Sequence, residues 1–371
     1  MQNLPQWVTA WDRDFNASLA PSVLPAVRSP FSRVLQSLKG VRAVRFEGYQ
    51  NDTLPNFLAK LSYWVQQFPE DERPIAFLLA SRFVFVTQTQ FDSLLRRLFR
   101  SQIRRHLLEY IVRTRSLGRY QFSESSQYLP AALDECLFVP NSDSSPLNAF
   151  VHVNGEFFND RERRALTGPE LKFWTYPSTA QAAGDPRIVR TARSFEVRVL
   201  KADPRLIGKK TLIVLEDFSG SGSDLDASLN AIEASDLPFQ EIGVAVVIAT
   251  VAAARRLCQL CTHLEASGHR RYFFWASHIL PDALRCFDGP AGSYLDRDMP
   301  IEKLSERVKA ISERLYTERY HTLLQYRDRH GFGGLALAFA TYTNCPDNSL
   351  PLLWATHDGW RALYPRVSRI I

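Results

Sequence analysis

The stretch that decides the fold runs Leu212-Ile213-Val214-Leu215-Glu216-Asp217-Phe218-Ser219-Gly220-Ser221-Gly222-Ser223-Asp224. Four apolar residues lead into two adjacent acids, one more apolar residue and a loop of serine and glycine. This pattern predicts a buried strand that opens into a loop before a helix. Such a loop offers backbone N–H groups to a phosphate, and the helix N-terminus adds its positive dipole end. Open α/β sheets bind ligands at this end of their strands, where Glu216 and Asp217 can accept hydrogen bonds from two ribose hydroxyls.

The same stretch resembles the diphosphosugar-binding motif of the type I phosphoribosyltransferases, which has four hydrophobic residues, two acids, a hydrophobic residue and a Thr/Gly/Ser loop. The resemblance implies that Glu216 and Asp217 are catalytic residues that hold the ribose. It also implies a 5′-phosphate loop made of Ser219, Gly220, Ser221, Gly222 and Ser223. Asp224 stands where the family has Thr or Ser, and an acid there repels a phosphate unless it caps the helix from its far side. The alternative interpretation is a structural strand-to-helix turn with exposed acids.

A second small polar loop, Pro140 to Pro146, follows the short apolar stretch Cys136-Leu137-Phe138-Val139. The resembled family has its pyrophosphate loop at this position, one strand-and-helix unit before the acids. The resemblance implies a diphosphate and its Mg²⁺ held by Ser142, Asp143, Ser144 and Ser145. A plain surface loop is the alternative. In that family a mobile hood follows, and the candidate cations of this segment are Arg161, Arg163, Arg164, Lys172 and Arg187.

Two further motifs narrow the resemblance. The run Asn344-Cys345-Pro346-Asp347-Asn348-Ser349-Leu350-Pro351-Leu352-Leu353-Trp354 is similar to a signature of a divergent phosphoribosyltransferase family from bacterial conflict systems, found beside retron reverse transcriptases. Trp64-Val65-Gln66-Gln67-Phe68 matches an early W-x-x-Q-F of that family. The C-terminal motif suggests an acceptor ring read by Asn344 and Asn348, with Trp354 or Phe332 stacked on it. An Asx/Pro turn that sets up a strand ending at Trp354 is the alternative.

Composition limits the class of protein. The chain has 371 residues, of which 45% are hydrophobic, enough for a sizeable core. The N-terminus lacks a signal-peptide pattern, no apolar run is long enough to span a membrane, and five cysteines favour a reducing cytoplasm. Cys258 and Cys261 form a C-x-x-C near His263, but without a second pair we interpret them as buried free thiols on a helix rather than a zinc site.

The basic residues are concentrated in one segment of a chain whose net charge is +6. Apolar residues recur there every fourth position from Leu95 to Ile111, which predicts an amphipathic helix beginning near Thr89. Its outer face carries Arg96, Arg97, Arg100, Arg104 and Arg105. A basic face of this kind binds nucleic acid or an anionic partner, unless its arginines only pair with neighbouring acids.

The patterns along the chain predict an appendage over residues 1–50, a helical unit over 51–130 and an α/β domain over 131–371. The α/β domain is expected to contain a doubly wound, mostly parallel sheet. Helices are predicted over 74–86, 226–234, 251–266 and 301–327, and strands over 148–153, 242–251 and 272–275.

These features predict a phosphoribosyltransferase-like effector that acts at ribose C1′ of a nucleotide or phosphoribosyl diphosphate. By resemblance, its cofactor is Mg²⁺, its setting is a retron-type anti-phage defence system, and its candidate partner is a reverse transcriptase with its RNA or DNA product. The alternative is a non-catalytic nucleotide-binding regulatory module that docks a nucleoprotein. The oligomeric state stays open.

Overall fold

The computed structural model describes residues 49, 57–117, 122–142, 145–158, 175–177, 193–195, 208–235, 237–268, 270–287, 293–296, 303–321, 328–357 and 359–366. The chain divides into two compact units, Met1–Gln88 with Asp282–Ile371 (unit 1) and Thr89–Pro281 (unit 2). This division differs from the predicted boundaries near residues 50 and 130, and the domain organisation stays a prediction. Apart from Tyr49, the predicted appendage lies outside the described residues.

The described helices follow one another in chain order as α1 (Phe57–Gln66), α2 (Arg73–Ser81), α3 (Gln88–Arg97), α4 (Arg104–Thr114), α5 (Phe122–Gln127), α6 (Leu129–Asp134), α7 (Leu147–Val153), α8 (Ser223–Glu233), α9 (Val251–Ser267), α10 (Leu304–Leu315) and α11 (Pro351–Trp354). A π-helical segment, Leu98–Ile103, joins α3 to α4, and a second one, Tyr316–Tyr320, follows α10. Short 3₁₀ turns cover Asp282–Leu284 and Phe332–Gly334.

The described strands are β1 (Val84–Val86), β2 (Cys136–Pro140), β3 (Thr175–Pro177), β4 (Arg193–Phe195), β5 (Thr211–Ser219), β6 (Glu241–Thr250), β7 (Arg271–Leu280) and β8 (Phe339–Thr341). Unit 2 contains a parallel sheet of order β2-β5-β6-β7, and β3 pairs antiparallel with β4. Every residue of β6 is buried, as expected for a strand with helices over both of its faces.

Helices cover both faces of this sheet. On one face, Leu229 of α8 and Leu257 of α9 belong to one core cluster with Val214 and Val244 of the strands. On the other face, Phe138 of β2 packs against Phe150 of α7 and Phe158 of the turn after it. Phe99 of the π segment packs against the same two rings. The predicted α/β fold class is therefore confirmed.

The arginine-rich helix is tied to the sheet through a buried carboxylate. Glu241 opens β6, and its Oε2 lies 3.1 Å from Nε2 of His106 on α4. Its Oε1 accepts a hydrogen bond of 2.8 Å from Arg271, and Arg113 lies 3.8 Å away. Burial raises the pKa of Glu241, but the hydrogen bond and charge of His106, with Arg271 and Arg113, bring this pKa below its usual value.

Unit 1 joins the early and late parts of the chain. β1 pairs in parallel with β8. The indole N–H of Trp64 donates to the Leu352 carbonyl at 3.1 Å, and Gln67 exchanges hydrogen bonds of 2.9 and 2.6 Å with the backbone of Arg361. The W-x-x-Q-F motif therefore packs against the segment that carries the C-terminal signature.

Three predictions of secondary structure differ from the observed elements. Residues 147–153 form helix α7 instead of a strand, because Leu147, Phe150 and Val151 share one buried face at helical spacing. The helix predicted over 74–86 ends at Ser81, and Val84–Val86 becomes a strand because β8 supplies its partner. Residues 351–354 form a short helix instead of the end of a strand. Pro351 begins this helix, at a position where the missing N–H of proline costs nothing.

Candidate functional site

The acid pair lies near the C-terminal end of β5 in unit 2. Glu216 and Asp217 each expose only 6% of their surface. Asp217 Oδ1 accepts a hydrogen bond of 2.7 Å from the backbone N–H of Phe218. Two buried, adjacent carboxylates are costly to a fold, which makes this pair a candidate for ligand binding rather than for stability.

The structure brings the predicted pyrophosphate loop to the acid pair. Asn141 Nδ2 donates to Glu216 Oε2 at 2.6 Å, and Ser142 Oγ donates to Glu216 Oε1 at 2.8 Å. Burial and the neighbouring Asp217 raise the pKa of Glu216 well above its usual value, although the hydrogen bonds from Asn141 and Ser142 oppose this rise. The loop after β2 and the end of β5 thus form one polar cluster.

Asn141 is the residue of this cluster that the sequence reasoning missed. Its backbone N–H donates to the Leu215 carbonyl at 3.0 Å, and its Oδ1 accepts from Ser228 Oγ of α8 at 2.8 Å. Together with its bond to Glu216, these contacts join β2, β5 and α8. The signal in the sequence was an asparagine directly after an apolar strand that ends in proline.

Of the other predicted pyrophosphate-loop residues, Ser145 is described. Its hydroxyl donates to the Leu215 carbonyl at 2.6 Å, so it ties the loop to β5. Asp143 and Ser144 lie outside the described residues, as do the hood candidates Arg161, Arg163, Arg164, Lys172 and Arg187.

The predicted phosphate loop leaves backbone donors available. Among the described residues, no group accepts a hydrogen bond from the backbone N–H of Gly220, Ser221 or Gly222. Gly222 directly precedes α8 and has a φ of 75°, a left-handed backbone conformation that glycine adopts without strain. The hydroxyls of Ser221 and Ser223 lie 2.8 Å apart. Successive free N–H groups at a helix N-terminus are the arrangement that binds phosphate.

Two acids, Asp224 and Asp226, follow the loop in the first turn of α8. Asp226, in the first turn of α8, pairs with Arg256 of α9 at 2.6 Å. Asp224 is the second residue of α8, and its side chain is exposed. An acid in the first turn of a helix interacts favourably with the helix dipole. The departure from the family pattern at Asp224 is thus compatible with a phosphate in the loop.

The predicted acceptor residues lie in unit 1 and take part in the turn that contains them. Asn348 Nδ2 donates to the Phe332 carbonyl at 3.0 Å, and the indole N–H of Trp354 donates to the Ser349 carbonyl at 2.8 Å. Asn344 Oδ1 is buried without a hydrogen-bond partner among the described residues. The role of these residues toward an acceptor ring stays a prediction.

The predicted arginine face is presented by α3, the π segment and α4. The apolar positions from Leu95 to Ile111 are buried, as predicted. Arg96 and Arg97 are exposed and form no ion pair within the described part of the chain. Arg100 pairs with Glu156, and Arg105 pairs with Glu109 at 2.9 Å. The guanidinium groups of Arg100 and Arg104 lie 6.0 and 5.9 Å from the ring centre of Phe157.

The C-x-x-C pair lies on helix α9 as predicted, but the prediction that both thiols are buried was wrong for Cys258. Cys258 is exposed and Cys261 is buried on α9, and both are free thiols. Burial raises the pKa of Cys261 to about 12. Within the described residues, no group of three or more His, Cys, Asp or Glu side chains is placed to hold a metal ion. Within the same residues, no helix is long and apolar enough to cross a membrane.

Comparison with known proteins agrees with this geometry. A protein-family model described as PRTase-CE matches residues 61–366, which include both motifs of unit 1 and the whole parallel sheet of unit 2. No match was found among curated proteins or among solved structures. The match covers most of the chain, and we conclude that this protein belongs to the PRTase-CE family, a phosphoribosyltransferase-like family.

Proposed function

We propose that this protein binds phosphoribosyl diphosphate or a nucleotide at the C-terminal end of β5 and catalyses transfer or cleavage at ribose C1′. One observation carries the proposal: a buried pair of carboxylates, Glu216 and Asp217, stands just before a loop in which the backbone N–H groups of residues 220–222 are free among the described residues. A sugar phosphate carries the complementary groups, two adjacent hydroxyls and one phosphate.

Each element of the site has a chemical task in this proposal. The N–H groups of Gly220, Ser221 and Gly222 bind the 5′-phosphate and orient the sugar. Glu216 and Asp217 accept hydrogen bonds from the ribose hydroxyls. Their negative charge stabilises the positive charge that develops at C1′ as the leaving group departs. No covalent nucleophile is required.

Protonation couples to binding at Glu216. Burial and Asp217 favour the protonated form of this carboxyl in the free protein. A ribose hydroxyl donates most strongly to an ionised carboxylate, so the sugar favours loss of the Glu216 proton. We therefore expect proton release on binding, and weaker binding at lower pH.

The described residues fit a Mg²⁺ ion held mainly by its substrate. Mg²⁺ in proteins commonly takes one or two carboxylates together with phosphate oxygens and water. The acid pair and Ser142 offer oxygen atoms, and no group of three acidic, histidine or cysteine side chains competes among the described residues. When bound with a diphosphate, the ion would neutralise charge on the leaving pyrophosphate.

Isothermal titration with phosphoribosyl diphosphate and Mg²⁺, beside ribose 5-phosphate and nucleoside monophosphates, tests the site. The double change Glu216→Gln with Asp217→Asn should abolish binding. The matched control is Glu70→Gln with Asp71→Asn, because these residues form an exposed Glu-Asp pair in unit 1. Unchanged binding by the Glu216/Asp217 variant would remove the site assignment.

A non-catalytic nucleotide-binding regulatory module is the alternative within this proposal. Release of pyrophosphate or free base from a bound substrate separates the two. Tight binding with no turnover, over a panel of bases and nucleic-acid acceptors, would favour the regulatory module.

We further propose a defence role in which the arginine face contacts nucleic-acid phosphates of a nucleoprotein partner. The defence setting rests on the motif resemblance, and the contact rests on Arg96 and Arg97, which are exposed without an ion pair among the described residues. Changing both to Gln should weaken binding to single-stranded oligonucleotides and reduce the slope of log K against log salt concentration by about 1.4. Arg307→Gln, on the exposed side of α10, is the control. An unaltered salt slope would remove the contact.

A further inference from the structure

Thr250 occupies the junction between β6 and α9, next to the proposed phosphate loop. It is the last residue of β6 and the N-cap of α9, and it is 5% exposed. Its Oγ1 accepts a hydrogen bond of 3.1 Å from the backbone N–H of Ala253 and donates one of 2.5 Å to the carbonyl of Gly220. One buried hydroxyl therefore connects the first turn of α9 to the centre of the loop.

The two hydrogen bonds have different consequences. Acceptance from Ala253 is the ordinary function of a helix N-cap, and it stabilises α9 whether or not a ligand binds. Donation to Gly220 acts outside the helix. It holds the Gly220 carbonyl toward α9, and the planar peptide bond then turns the following N–H, that of Ser221, in the opposite direction.

Contacts of Gly222 support the same relation between α9 and the loop. A Cβ placed on Gly222 would lie 3.4 Å from Cα and the carbonyl oxygen of Ala253, and 3.4 Å from Cδ of Arg256. The loop therefore rests against the first two turns of α9. Arg256 continues this contact through its ion pair with Asp226 at the start of α8.

We propose that Thr250 is a positioning residue for the phosphate-binding loop, acting through its hydrogen bond to Gly220. The inference rests on the proposed function, because it assigns Thr250 a role toward a phosphate in that loop. Thr250 itself touches no substrate. It keeps the free N–H groups of the loop in one orientation before the ligand arrives, which lowers the entropy cost of binding.

The test compares variants that differ in the hydroxyl. Thr250→Val keeps the shape and removes both hydrogen bonds, whereas Thr250→Ser keeps both. Thr250→Gly removes the donor but is tolerated at an N-cap, so it serves if the valine variant does not fold. Thr262→Val, at an exposed position of the same helix, is the matched control.

Two probes, inorganic phosphate and ribose 5-phosphate, distinguish a loop effect from a general one. Thr250→Val or Thr250→Gly should weaken the binding of both probes by the same factor, about tenfold. Thr250→Ser and Thr262→Val should bind as the wild type does. Asp217→Asn should weaken ribose 5-phosphate alone, because inorganic phosphate has no ribose hydroxyls.

The outcomes separate the two proposals. If the wild type binds neither probe, the proposed function and this inference both fail. If the wild type binds both probes and Asp217→Asn has the expected effect, but a folded Thr250→Val or Thr250→Gly protein binds as tightly as the wild type, only the inference fails. The inference is supported if both probes lose the same factor in affinity in the valine or glycine variant and bind the Thr250→Ser variant as tightly as the wild type.

Discussion

Replacing Glu216 by glutamine should make the protein more stable at neutral pH while it abolishes sugar-phosphate binding. Burial and the adjacent Asp217 raise the pKa of Glu216 well above its usual value. The folded protein therefore retains a proton on this carboxyl at pH values where the unfolded chain has lost it. Glutamine has the same shape and stays neutral at every pH.

The size of the effect follows from proton linkage. Below the unfolded-state pKa of 4.5, both states are protonated and Glu216 has no pH-dependent effect on stability. As pH rises from there to the raised folded-state pKa, the unfolded state binds fewer protons. The free energy of unfolding then falls by about 1.4 kcal/mol per pH unit on account of this one group. For a domain the size of unit 2, that corresponds to about 3–6 °C in melting temperature per pH unit.

Denaturant unfolding of the two proteins from about pH 5 to about pH 8 measures this difference. The free energy of unfolding of Glu216→Gln should exceed that of the wild type, and the gap should widen with pH. Glu70→Gln, at an exposed acid, should track the wild type throughout. A variant that is equally or less stable across the whole range would show that Glu216 is ionised without penalty and would refute the linkage.

Two further predictions concern the loop and the base of the sheet. Gly222→Ala should lower stability by about 1 kcal/mol and weaken ribose 5-phosphate binding about tenfold, because φ is 75° at this position and the loop lies against α9. Gly208→Ala, where φ is 79° with open space around it, should lower stability alone, and equal binding by both variants would contradict the loop assignment. Glu241→Gln should lower the free energy of unfolding by about 1–2 kcal/mol at neutral pH, because it removes the charge that faces His106 and two half-exposed arginines, Arg113 and Arg271. Since the pKa of Glu241 is lowered, this loss should shrink as pH falls below 4.5. Glu70→Gln, at an exposed acid in unit 1, should show no such trend in chemical unfolding.

Local sequence patterns predicted an element correctly where its hydrophobic pattern fits only one kind of secondary structure. The apolar run before Glu216 predicts a buried strand because a parallel strand covered on both faces excludes polar residues until its end. The four-residue repeat from Leu95 to Ile111 predicts a helix because those positions share one face. Both predictions are confirmed, although a π segment interrupts the helix.

Local patterns failed where two structures suit the same short apolar run. Residues 147–153 and 84–86 each carry a few apolar side chains, and their length does not distinguish a helix from a strand. The first became a helix because its apolar face packs against Phe138 and Phe158, and the second became a strand because β8 lay beside it.

The sequence by itself determined the parts of the candidate site whose chemistry is local: the paired acids, the glycine loop after them and the helix that follows. Only the tertiary structure decided which groups control them. Asn141 reaches Glu216 across 75 residues, and Thr250 reaches Gly220 across 30. Adjacent parallel strands place their C-terminal ends side by side whatever their separation in the chain, so these hydrogen bonds depend on strand order and register. A buried carboxyl likewise acquires its pKa from the neighbours that the fold supplies.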